Sequence, residues 1–233
     1  MSAADQDLRF HGDTVATPGQ LDFAVNLVSG PPPGWLRRAL EDGLSRMSAY
    51  PDQGPATAAL AARHGRPPGE VVLLAGRRDL PGLVVVRSLT KLWGLAGIRA
   101  GYLLAPPALA GALRAARQPW AVNSLACAAL AAWASQPTNH AAHQVQQLAT
   151  TRERLATALA TLLGVRVWPS AANFLLLQVA DGPAVRQGLA ARGIAVRPCH
   201  SFPGLTANHL RVAVRDPADN QRLLDAFHEV LGC

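Results

Sequence analysis

The hydrophobic and polar positions of this 233-residue chain follow two spacings, one typical of helices and one typical of strands. Apolar residues that recur every three or four positions predict helices. These helices are at 35–47, 57–64, 107–117, 125–135, 140–163, 183–192 and 218–231. Short runs rich in valine, isoleucine and leucine predict strands between them. The strands are at 71–74, 84–86, 102–105, 165–168, 174–179, 194–197 and 210–214. The pattern predicts an α/β protein.

The same pattern divides the chain into three parts. Residues 1–34 contain turns, one short alternating apolar segment and a proline cluster, which together predict an extended arm. Residues 35–139 form a first domain of helices and strands. The long amphipathic helix at 140–163 is of the kind that bridges two domains. Together with the segment that follows, this helix predicts a compact α+β domain over residues 140–233.

Composition narrows the class of protein. Hydrophobic residues make up 49% of the chain, enough for a buried core, but no stretch approaches the roughly 20 apolar residues of a membrane span. Residues 1–9 lack the apolar segment of a signal peptide, so we expect a cytoplasmic protein that does not bind membranes. The three cysteines lack paired short spacing, so we expect neither a disulfide nor a metal site. They are Cys127, Cys199 and Cys233.

The formal net charge of +7 raises the question of a nucleic-acid partner. The arginines are dispersed, their longest runs are pairs, and no aromatic-basic motif accompanies them. We therefore expect no nucleic-acid binding. Attraction of phosphorylated small molecules explains the charge equally well.

One residue stands apart in this composition, because Lys91 is the sole lysine among 22 lysines and arginines. Arginine can replace lysine in most electrostatic roles, but it cannot lose a proton at neutral pH and form an imine with an aldehyde. Lys91 also follows the apolar run at 84–86 and precedes a glycine-rich loop. Open α/β sheets place ligands at such strand ends. The pattern therefore indicates amine chemistry at Lys91.

The neighbours of Lys91 add donors that suit a phosphate group. Ser88 and Thr90 carry hydroxyls, and Arg99 carries a planar guanidinium. A ligand with both an aldehyde and a phosphate would use the amine and these donors together, and pyridoxal 5′-phosphate is such a ligand. A solvated surface lysine beside a glycine loop is the ordinary alternative.

Residues 88–101 resemble the lysine-site signature of class I and II aminotransferases, Ser-x-Thr-Lys-x-x-Gly-Leu-x-Gly-x-Arg-x-Gly. The resemblance implies the fold of the fold-type I pyridoxal-phosphate enzymes, a three-layer α/β/α large domain followed by an α+β small domain, in a homodimer. It also implies that Lys91 is the catalytic residue that binds pyridoxal phosphate covalently. Ser88, Thr90 and Arg99 would contact the cofactor.

Further motifs resemble the substrate-binding elements of two related groups of enzymes. Arg211, in Leu-Arg-Val-Ala-Val, resembles an arginine of histidinol-phosphate aminotransferases that meets the substrate's carboxylate or phosphate, and Arg197 ends a strand where that group has another substrate-binding arginine. An N-terminal His-Gly and an asparagine resemble substrate-contacting residues of threonine-phosphate decarboxylases of cobalamin biosynthesis. Here they are His11, Gly12 and Asn26.

These resemblances imply a phosphorylated amino acid as substrate. A reaction like that of threonine-phosphate decarboxylase is the first expectation, and transamination of the histidinol-phosphate type is the alternative. Tyr50 resembles the tyrosine that reaches the cofactor phosphate of the dimer partner, yet its Tyr-Pro-Asp turn would also simply end a helix. Asn173, in Ser-Ala-Ala-Asn-Phe, belongs to a segment that resembles a C-terminal-domain motif of histidinol-phosphate aminotransferases. The ordinary alternatives are a turn for Asn173, a surface ion pair for Arg211 and a turn for His11.

The segment between the strands at 71–74 and 84–86 departs from the family pattern. Family members whose lysine site resembles residues 88–101 have a long middle portion between these two strands. It carries a glycine-containing phosphate loop, an aromatic that stacks on the cofactor ring, an asparagine, and an aspartate that pairs with the pyridinium nitrogen. Here a short turn replaces it, and its only acid is Asp79.

The chain thus resembles a family member whose large domain is truncated, and a non-catalytic remnant is a third alternative. We expect weak cofactor binding, because the phosphate loop and the aspartate are missing. We also expect the apolar faces of both strands, 71–74 and 84–86, to be exposed and the solubility to be low.

Overall fold

The computed structural model describes residues 14–28, 30–74, 84–137 and 139–232. The site residues predicted at His11 and Gly12, and Asp79 of the short turn, lie outside the described residues. The chain folds into two compact units. We call residues 30–140 the lysine unit, and residues 1–29 together with 141–233 the C-terminal unit.

The helices and strands follow the predicted order, and most bounds shift by one to three residues. The arm contains β1 (Leu21–Asp22). The lysine unit then contains α1 (Gly34–Leu44), α2 (Gly54–His64), β2 (Val71–Leu74), β3 (Val85–Ser88), β4 (Gly101–Leu104), α3 (Pro107–Ala116) and α4 (Ser124–Ala134). The chain continues with α5 (His140–Ala160), β5 (Arg166–Val167), β6 (Phe174–Gln178), α6 (Gly182–Ala191), β7 (Ile194–Ala195), β8 (Arg197–Pro198), β9 (His209–Ala213) and α7 (Pro217–Leu231).

The lysine unit is a three-layer arrangement around an antiparallel sheet of order β2-β4-β3. Side chains of a strand point to alternate faces of the sheet. On one face Leu103 packs with Ala110 of α3. On the other face the fully buried Tyr102 contacts the ring of Trp133 of α4 and hydrogen-bonds through its hydroxyl to His64 Nε2 of α2 (2.8 Å). Helices therefore cover both faces, as expected for this fold class.

The outer edge of β2 is covered by arginines of α3 and its C-cap. Arg114 donates to the carbonyls of Gly69 (2.7 Å) and Val71 (3.2 Å), and Arg117 donates to the carbonyl of Leu73. Alternate carbonyls of a strand face the same edge. These bonds satisfy the acceptors that a sheet edge leaves open.

The expected exposure of both strands is wrong for β2 and correct for β3. Val71, Val72 and Leu73 are each at most 2% exposed, because α2 and α3 pack on β2 and the arginines cover its edge. In β3, by contrast, Val85 is 42% exposed, and three of the strand's four residues are exposed.

The C-terminal unit has a four-stranded antiparallel sheet of order β5-β6-β9-β8. Its core combines alternate residues of β6 and β9 with apolar residues of α5, α6 and α7. Two of these helices begin with an aspartate whose side chain accepts a backbone hydrogen bond, Asp181 at α6 and Asp216 at α7, as expected for N-caps. This matches the α+β fold predicted for this part of the chain.

The arm is built into the C-terminal unit. β1 pairs in parallel with β7, and fully buried Phe23 bridges two strands, since its amide donates to Ala195 (2.8 Å) and its carbonyl accepts from Ala213 (2.9 Å). The single strand predicted at 194–197 is wrong for this reason. It divides into β7 and β8, because Ala195 pairs with the arm whereas Arg197 pairs with β9.

Candidate active site

Lys91 lies in a tight turn directly after β3, as the sequence predicts. The Leu89 amide donates to the Ala100 carbonyl (3.0 Å), which closes the base of the loop. The Leu95 amide donates to the Thr90 carbonyl (3.0 Å), and the Thr90 amide donates to Ser88 Oγ (3.2 Å). Lys91 itself is exposed. The loop therefore presents the amine while its own backbone is held by hydrogen bonds.

Two buried apolar side chains that follow Lys91 in the sequence anchor the loop. Trp93 is 3% exposed and Leu95 is 2% exposed. The Trp93 ring meets that of Trp35 of α1 edge-to-face, with centroids 5.3 Å apart. Such aromatic pairs stabilise by about 0.5–1.5 kcal/mol beyond their burial. The position of Lys91 is thus fixed from within the lysine unit.

Arg99 closes the loop in an unusual backbone conformation. Its φ is +60°, in the left-handed region that residues other than glycine rarely adopt. Its Nη1 donates to the Ala96 carbonyl (3.2 Å), and the side chain is otherwise exposed. Strain of this kind costs of order 1–3 kcal/mol and is concentrated at functional sites.

The residues around Lys91 fit the aldehyde and phosphate of pyridoxal phosphate. The exposed amine of Lys91, the exposed hydroxyl of Ser88 and the guanidinium of Arg99 belong to one 12-residue segment and are the donor types that these two groups need. Thr90 is 7% exposed, and its carbonyl accepts the hydrogen bond from the Leu95 amide. Its contribution is therefore chiefly to the stability of the turn.

The described part of the lysine unit supplies no carboxylate suited to the ring nitrogen of the cofactor. The described part of the lysine unit has four acids. Glu41 and Asp42 lie on α1, Asp52 accepts from the Gly54 amide (2.8 Å), and Glu70 pairs with Arg66 (2.5 Å). None follows a strand of the sheet. The fit is therefore good for one half of the cofactor and incomplete for the other.

Tyr50 lies on the surface of the lysine unit and stacks on Trp120. The two rings are 4.3 Å apart and inclined by 18°, although Tyr50 is 75% exposed and Trp120 is 55% exposed. Trp120 also has a positive φ of +53°. No motif in the sequence singles out Trp120. No feature of a linear pattern indicates that it holds the Tyr50 ring.

Arg197 and Arg211 are brought together by the sheet of the C-terminal unit. They are direct partners in the antiparallel pairing of β8 with β9, as expected for arginines on adjacent strands. The guanidinium of Arg197 lies over the Phe202 ring and that of Arg211 over the Phe174 ring, each 5.0 Å from the centroid. The two phenylalanines are supports that the motifs did not identify.

The surface ion pair considered for Arg211 is not formed with any residue that the structure describes. Arg211 Nη2 donates to the Ala24 carbonyl of the arm (2.7 Å), and its Nε is buried without a hydrogen-bond partner among those residues. Burial, and then the charge of Arg197, lowers the pKa of Arg211 to about 10, so that the group remains charged at neutral pH. A bound anion would offset both the burial of the Arg211 charge and its repulsion by Arg197.

Asn26 and Asn173 form a reciprocal pair of hydrogen bonds. Asn26 Nδ2 donates to Asn173 Oδ1 (2.9 Å), and Asn173 Nδ2 donates to the Asn26 carbonyl (2.7 Å). The pair ties the arm to the segment before β6, and β6 neighbours the strand of Arg211. Asn173 is therefore more than a turn residue. The sequence could not show this contact, because 147 positions separate the two asparagines.

Comparison with protein families gives one extended match. The family described as aminotransferase class I and II matches residues 49–227. A histidinol-phosphate aminotransferase of Mycobacterium tuberculosis is 27% identical over 317 aligned positions, covering 89% of this chain and 87% of that protein. A histidinol-phosphate aminotransferase of Chromobacterium violaceum is 41% identical over 154 residues, covering 66% of this chain but 42% of that protein.

Solved structures show the same fold. L-threonine-O-3-phosphate decarboxylase from Porphyromonas gingivalis matches with a TM-score of 0.76 at 17% identity, covering 90% of this chain and 98% of that chain. Histidinol-phosphate aminotransferase from Sinorhizobium meliloti, solved in complex with pyridoxal-5′-phosphate, matches with a TM-score of 0.75 at 16% identity, covering 100% of this chain and 95% of that chain. Within the described residues, no helix is both long and apolar enough to cross a membrane.

Proposed function

The chain belongs to the class I and II aminotransferases, a pyridoxal-phosphate-dependent family, and from this premise we propose that it acts on a phosphorylated amino compound. The observation that carries the proposal is the presentation of Lys91. The sole lysine of the chain is exposed on a fixed turn after β3, beside a hydroxyl and a guanidinium that suit a phosphate.

In this proposal Lys91 attaches the cofactor covalently through its amine. Ser88 Oγ and the Arg99 guanidinium bind the cofactor phosphate, and Thr90 keeps the turn in shape. Bound pyridoxal phosphate supplies an electron sink for the substrate's α-carbon. With the cofactor bound, Lys91 would act as general base at the substrate's α-carbon and, as general acid, would deliver the proton to the carbon derived from the cofactor's aldehyde.

The C-terminal unit provides the substrate's anion site in this proposal. Arg197 and Arg211 concentrate two positive charges on adjacent strands, a pairing that favours a group with two negative charges. A phosphate monoester is such a group. Asn26, held by Asn173, adds an amide to the same unit.

Transamination of a histidinol-phosphate-like substrate is the reaction we favour. Its support is the relatives at 27% and 41% identity, both histidinol-phosphate aminotransferases. A threonine-phosphate decarboxylase-like reaction, which would belong to cobalamin biosynthesis, is the second candidate. It is supported by the held position of Asn26. The likeness of the fold does not separate the two reactions, since the decarboxylase and the aminotransferase structures both match.

We also propose that the chain forms a homodimer through the lysine unit. In the described part of this unit, four large apolar side chains are more than half exposed: Leu44 (55%), Met47 (58%), Tyr50 (75%) and Trp120 (55%). Exposed apolar surface of this kind is typical of interaction sites. In the dimer, Tyr50 would contact the cofactor phosphate of the partner.

Reductive trapping tests the role of Lys91 directly. The chain is mixed with pyridoxal phosphate, reduced with borohydride, digested and mapped by mass spectrometry. We expect the label on the peptide that contains Lys91 and no label at that site in Lys91→Arg, which keeps the charge but cannot form the covalent link. Label at the N-terminal amine alone would reject the assignment and favour the non-catalytic remnant.

The products distinguish the two reactions. With histidinol phosphate and 2-oxoglutarate, transamination yields glutamate, whereas decarboxylation of O-phosphothreonine releases carbon dioxide. We expect glutamate. Carbon dioxide release without glutamate would establish the second candidate instead.

A further inference from the structure

Tyr50 and Trp120 belong to two different loops of the lysine unit, and their rings stack. Tyr50 follows α1 and Trp120 follows α3. The ring centroids are 4.3 Å apart and the ring planes are inclined by 18°. Tyr50 is nevertheless 75% exposed, so Trp120 covers one face of the ring and leaves most of the side chain accessible. The stack therefore orients Tyr50 without burying it.

The backbone of Trp120 is in an unfavourable conformation. Its φ of +53° lies in the left-handed region, which is rare for a bulky residue. Trp120 directly follows Pro119 in a turn, and a position of positive φ after proline in a turn normally holds glycine or asparagine. A tryptophan that is 55% exposed here adds strain without filling the core. Strained residues of this kind are concentrated at functional sites.

A hydrogen bond beside the stack joins the same two loops. The side chain of Arg117, three residues before Trp120, donates to the side-chain oxygen of Gln53, three residues after Tyr50 (2.6 Å). Pro51 directly follows Tyr50 and favours an extended backbone there. The polar bond holds the two loops together, and the ring contact in addition restricts the rotation of the Tyr50 side chain.

The turn of Trp120 is also tied to the Lys91 loop of the same chain. Asn123 Nδ2 donates to the carbonyl of Ile98, which directly precedes Arg99 (3.0 Å). The side-chain oxygen of Asn123 caps α4, where it accepts from a backbone amide (2.8 Å). The turn that carries Trp120 is therefore anchored to the loop that carries the candidate cofactor residues.

We propose that Trp120 is a positioning residue, which holds the Tyr50 ring in the orientation that serves the cofactor phosphate of the partner chain. The inference rests on the proposed function, in which Tyr50 contacts that phosphate. An exposed side chain that rotates freely loses entropy when it binds a ligand. The stack restricts the Tyr50 ring before the ligand arrives and so removes part of this loss. Trp120 acts through Tyr50 and does not itself contact the cofactor.

A purely interfacial role for Trp120 is the competing interpretation. Trp120 and Met47 are both exposed apolar residues of this unit (55% and 58%), and either would add apolar area to a dimer interface. The two roles differ in what they require of Tyr50. A positioning role acts through the Tyr50 hydroxyl, whereas an interfacial role is independent of that hydroxyl.

A double-mutant cycle separates the two roles. The dissociation constant of pyridoxal phosphate is measured from the absorbance of the lysine-bound cofactor in the wild type, Trp120→Ala, Tyr50→Phe and the double variant. Trp120→Phe keeps an aromatic ring and tests rescue. Met47→Ala removes another exposed apolar side chain and is the matched control. Thermal unfolding confirms that each variant folds, and light scattering after size exclusion gives the concentrations at which each is dimeric.

We expect Trp120→Ala to weaken cofactor binding by about three- to tenfold, with Trp120→Phe and Met47→Ala within about twofold of the wild type. In the Tyr50→Phe background, Trp120→Ala should cause no further loss, because the hydroxyl that the ring positions is already missing. An equal loss in both backgrounds, or an equal loss in Met47→Ala, would overturn the inference.

Mixed dimers with one Lys91→Arg chain, purified through two different tags, show which site Trp120 serves. Only the other chain then binds the cofactor covalently, and its cofactor phosphate meets the Tyr50 of the Lys91→Arg chain. Trp120→Ala in the Lys91→Arg chain should weaken cofactor binding, whereas the same substitution in the other chain should not. The reverse result would overturn the inference.

Fluorine NMR tests the stack without the cofactor, so that failure of this inference is distinguished from failure of the proposed function. The chain has two tyrosines, Tyr50 and the buried Tyr102, and Tyr50→Phe assigns their signals after fluorotyrosine labelling. The Tyr50 signal should shift in Trp120→Ala, because the ring current of the indole is lost, but not in Met47→Ala.

An unchanged Tyr50 signal in Trp120→Ala would reject the inference, whatever the cofactor binding. A shifted signal with undiminished cofactor binding by Trp120→Ala would reject the inference alone and leave the proposed function standing. A wild-type chain that forms the stack but never binds the cofactor through Lys91 would reject the proposed function, and the positioning role with it.

Discussion

Arg197 and Arg211 lie directly opposite each other across the β8–β9 pair. Like charges opposed on neighbouring strands destabilise a sheet. The burial of Arg211 adds a desolvation cost, which is reflected in its lowered pKa of about 10. The contacts to Phe202 and Phe174 keep both guanidiniums in place in spite of the repulsion. An arrangement that is unfavourable alone and favourable around a dianion supports the proposal that the two arginines form an anion site.

The first prediction concerns binding of inorganic phosphate and histidinol phosphate. In Arg211→Met, the rise in melting temperature that each ligand gives to the wild type should disappear. The ligand-free stability should change by no more than about 1–2 kcal/mol, because removal of a buried charge offsets the lost bond to Ala24. Differential scanning fluorimetry across a ligand series measures both quantities.

Arg192→Met is the matched control for this experiment. Arg192 pairs with Glu229 at 2.6 Å on the surface of the same unit and should have no effect on ligand binding. An undiminished ligand response in Arg211→Met would assign Arg211 a purely structural role.

The second prediction concerns the attachment of the arm. Asn173→Ala removes both side-chain bonds of the Asn26–Asn173 pair and leaves polar groups of the arm unpaired. We expect a loss of about 1–3 kcal/mol in the free energy of unfolding and faster proteolysis in the arm. Urea unfolding and timed proteolysis with mass spectrometry measure these effects.

Gln221→Ala provides the comparison for Asn173→Ala. Gln221 bonds to Asp225 on the exposed surface of α7, and its removal should cost less than about 0.5 kcal/mol. Equal effects of the two substitutions would show that the reciprocal pair does not hold the arm.

How much of the structure the sequence predicts depends on how far apart in the chain the contacting residues lie. The turn at Lys91 and the adjacency of the strands of Arg197 and Arg211 follow from local patterns, and the structure agrees with both. Phe23 could not be assigned its role, because bridging β7 and β9 joins segments more than 170 residues apart. The burial of β2 depends on which arginines reach its carbonyls, and Arg117 has no local signature that marks it.

The third prediction concerns stability at mildly acidic pH. His64 is hydrogen-bonded to the Tyr102 hydroxyl, and burial followed by the charges of Arg87, Arg63 and Arg66 lowers the pKa of His64 below its usual 6.5. A histidine with a lowered folded-state pKa binds its proton more readily in the unfolded chain. Its contribution is therefore fully present above pH 6.5 and is lost as the pH falls from there through the folded-state pKa.

The variant His64→Gln keeps a hydrogen-bonding side chain but has no titratable ring. We expect its free energy of unfolding to fall less than that of the wild type between pH 7 and pH 5. Chemical denaturation at a series of pH values measures the difference. Parallel curves for the two proteins would mean that the protonation of His64 is not linked to folding.

The fourth prediction concerns the covered edge of β2. The double variant Arg114→Met/Arg117→Met exposes the carbonyls of Gly69, Val71 and Leu73. We expect a loss of about 1–3 kcal/mol in stability and increased aggregation, because a second sheet edge becomes available to other chains. Arg38→Met on exposed α1 should leave both properties unchanged. Light scattering during incubation measures aggregation, and urea unfolding measures stability. Equal results for the double variant and for Arg38→Met would contradict the prediction.

The last prediction is that the chain alone binds pyridoxal phosphate weakly, although Lys91, Ser88 and Arg99 are present and exposed on one short segment. Charge-assisted hydrogen bonds contribute about 1.5–3 kcal/mol each, so each missing contact to the phosphate or the ring nitrogen weakens binding by about tenfold to a hundredfold. In the described part of the lysine unit, Glu70 and Asp52 already bond elsewhere, and neither follows a strand towards Lys91. The ring nitrogen would therefore lose its proton more easily and the cofactor would be a poorer electron sink. Titration followed by the absorbance of the lysine-bound cofactor, with the Mycobacterium tuberculosis relative as the positive control, should give a dissociation constant at least about a hundredfold higher for this chain. Tight stoichiometric binding with rapid turnover of a phosphorylated amino compound would instead show that these few residues of the lysine unit are sufficient to hold and activate the cofactor.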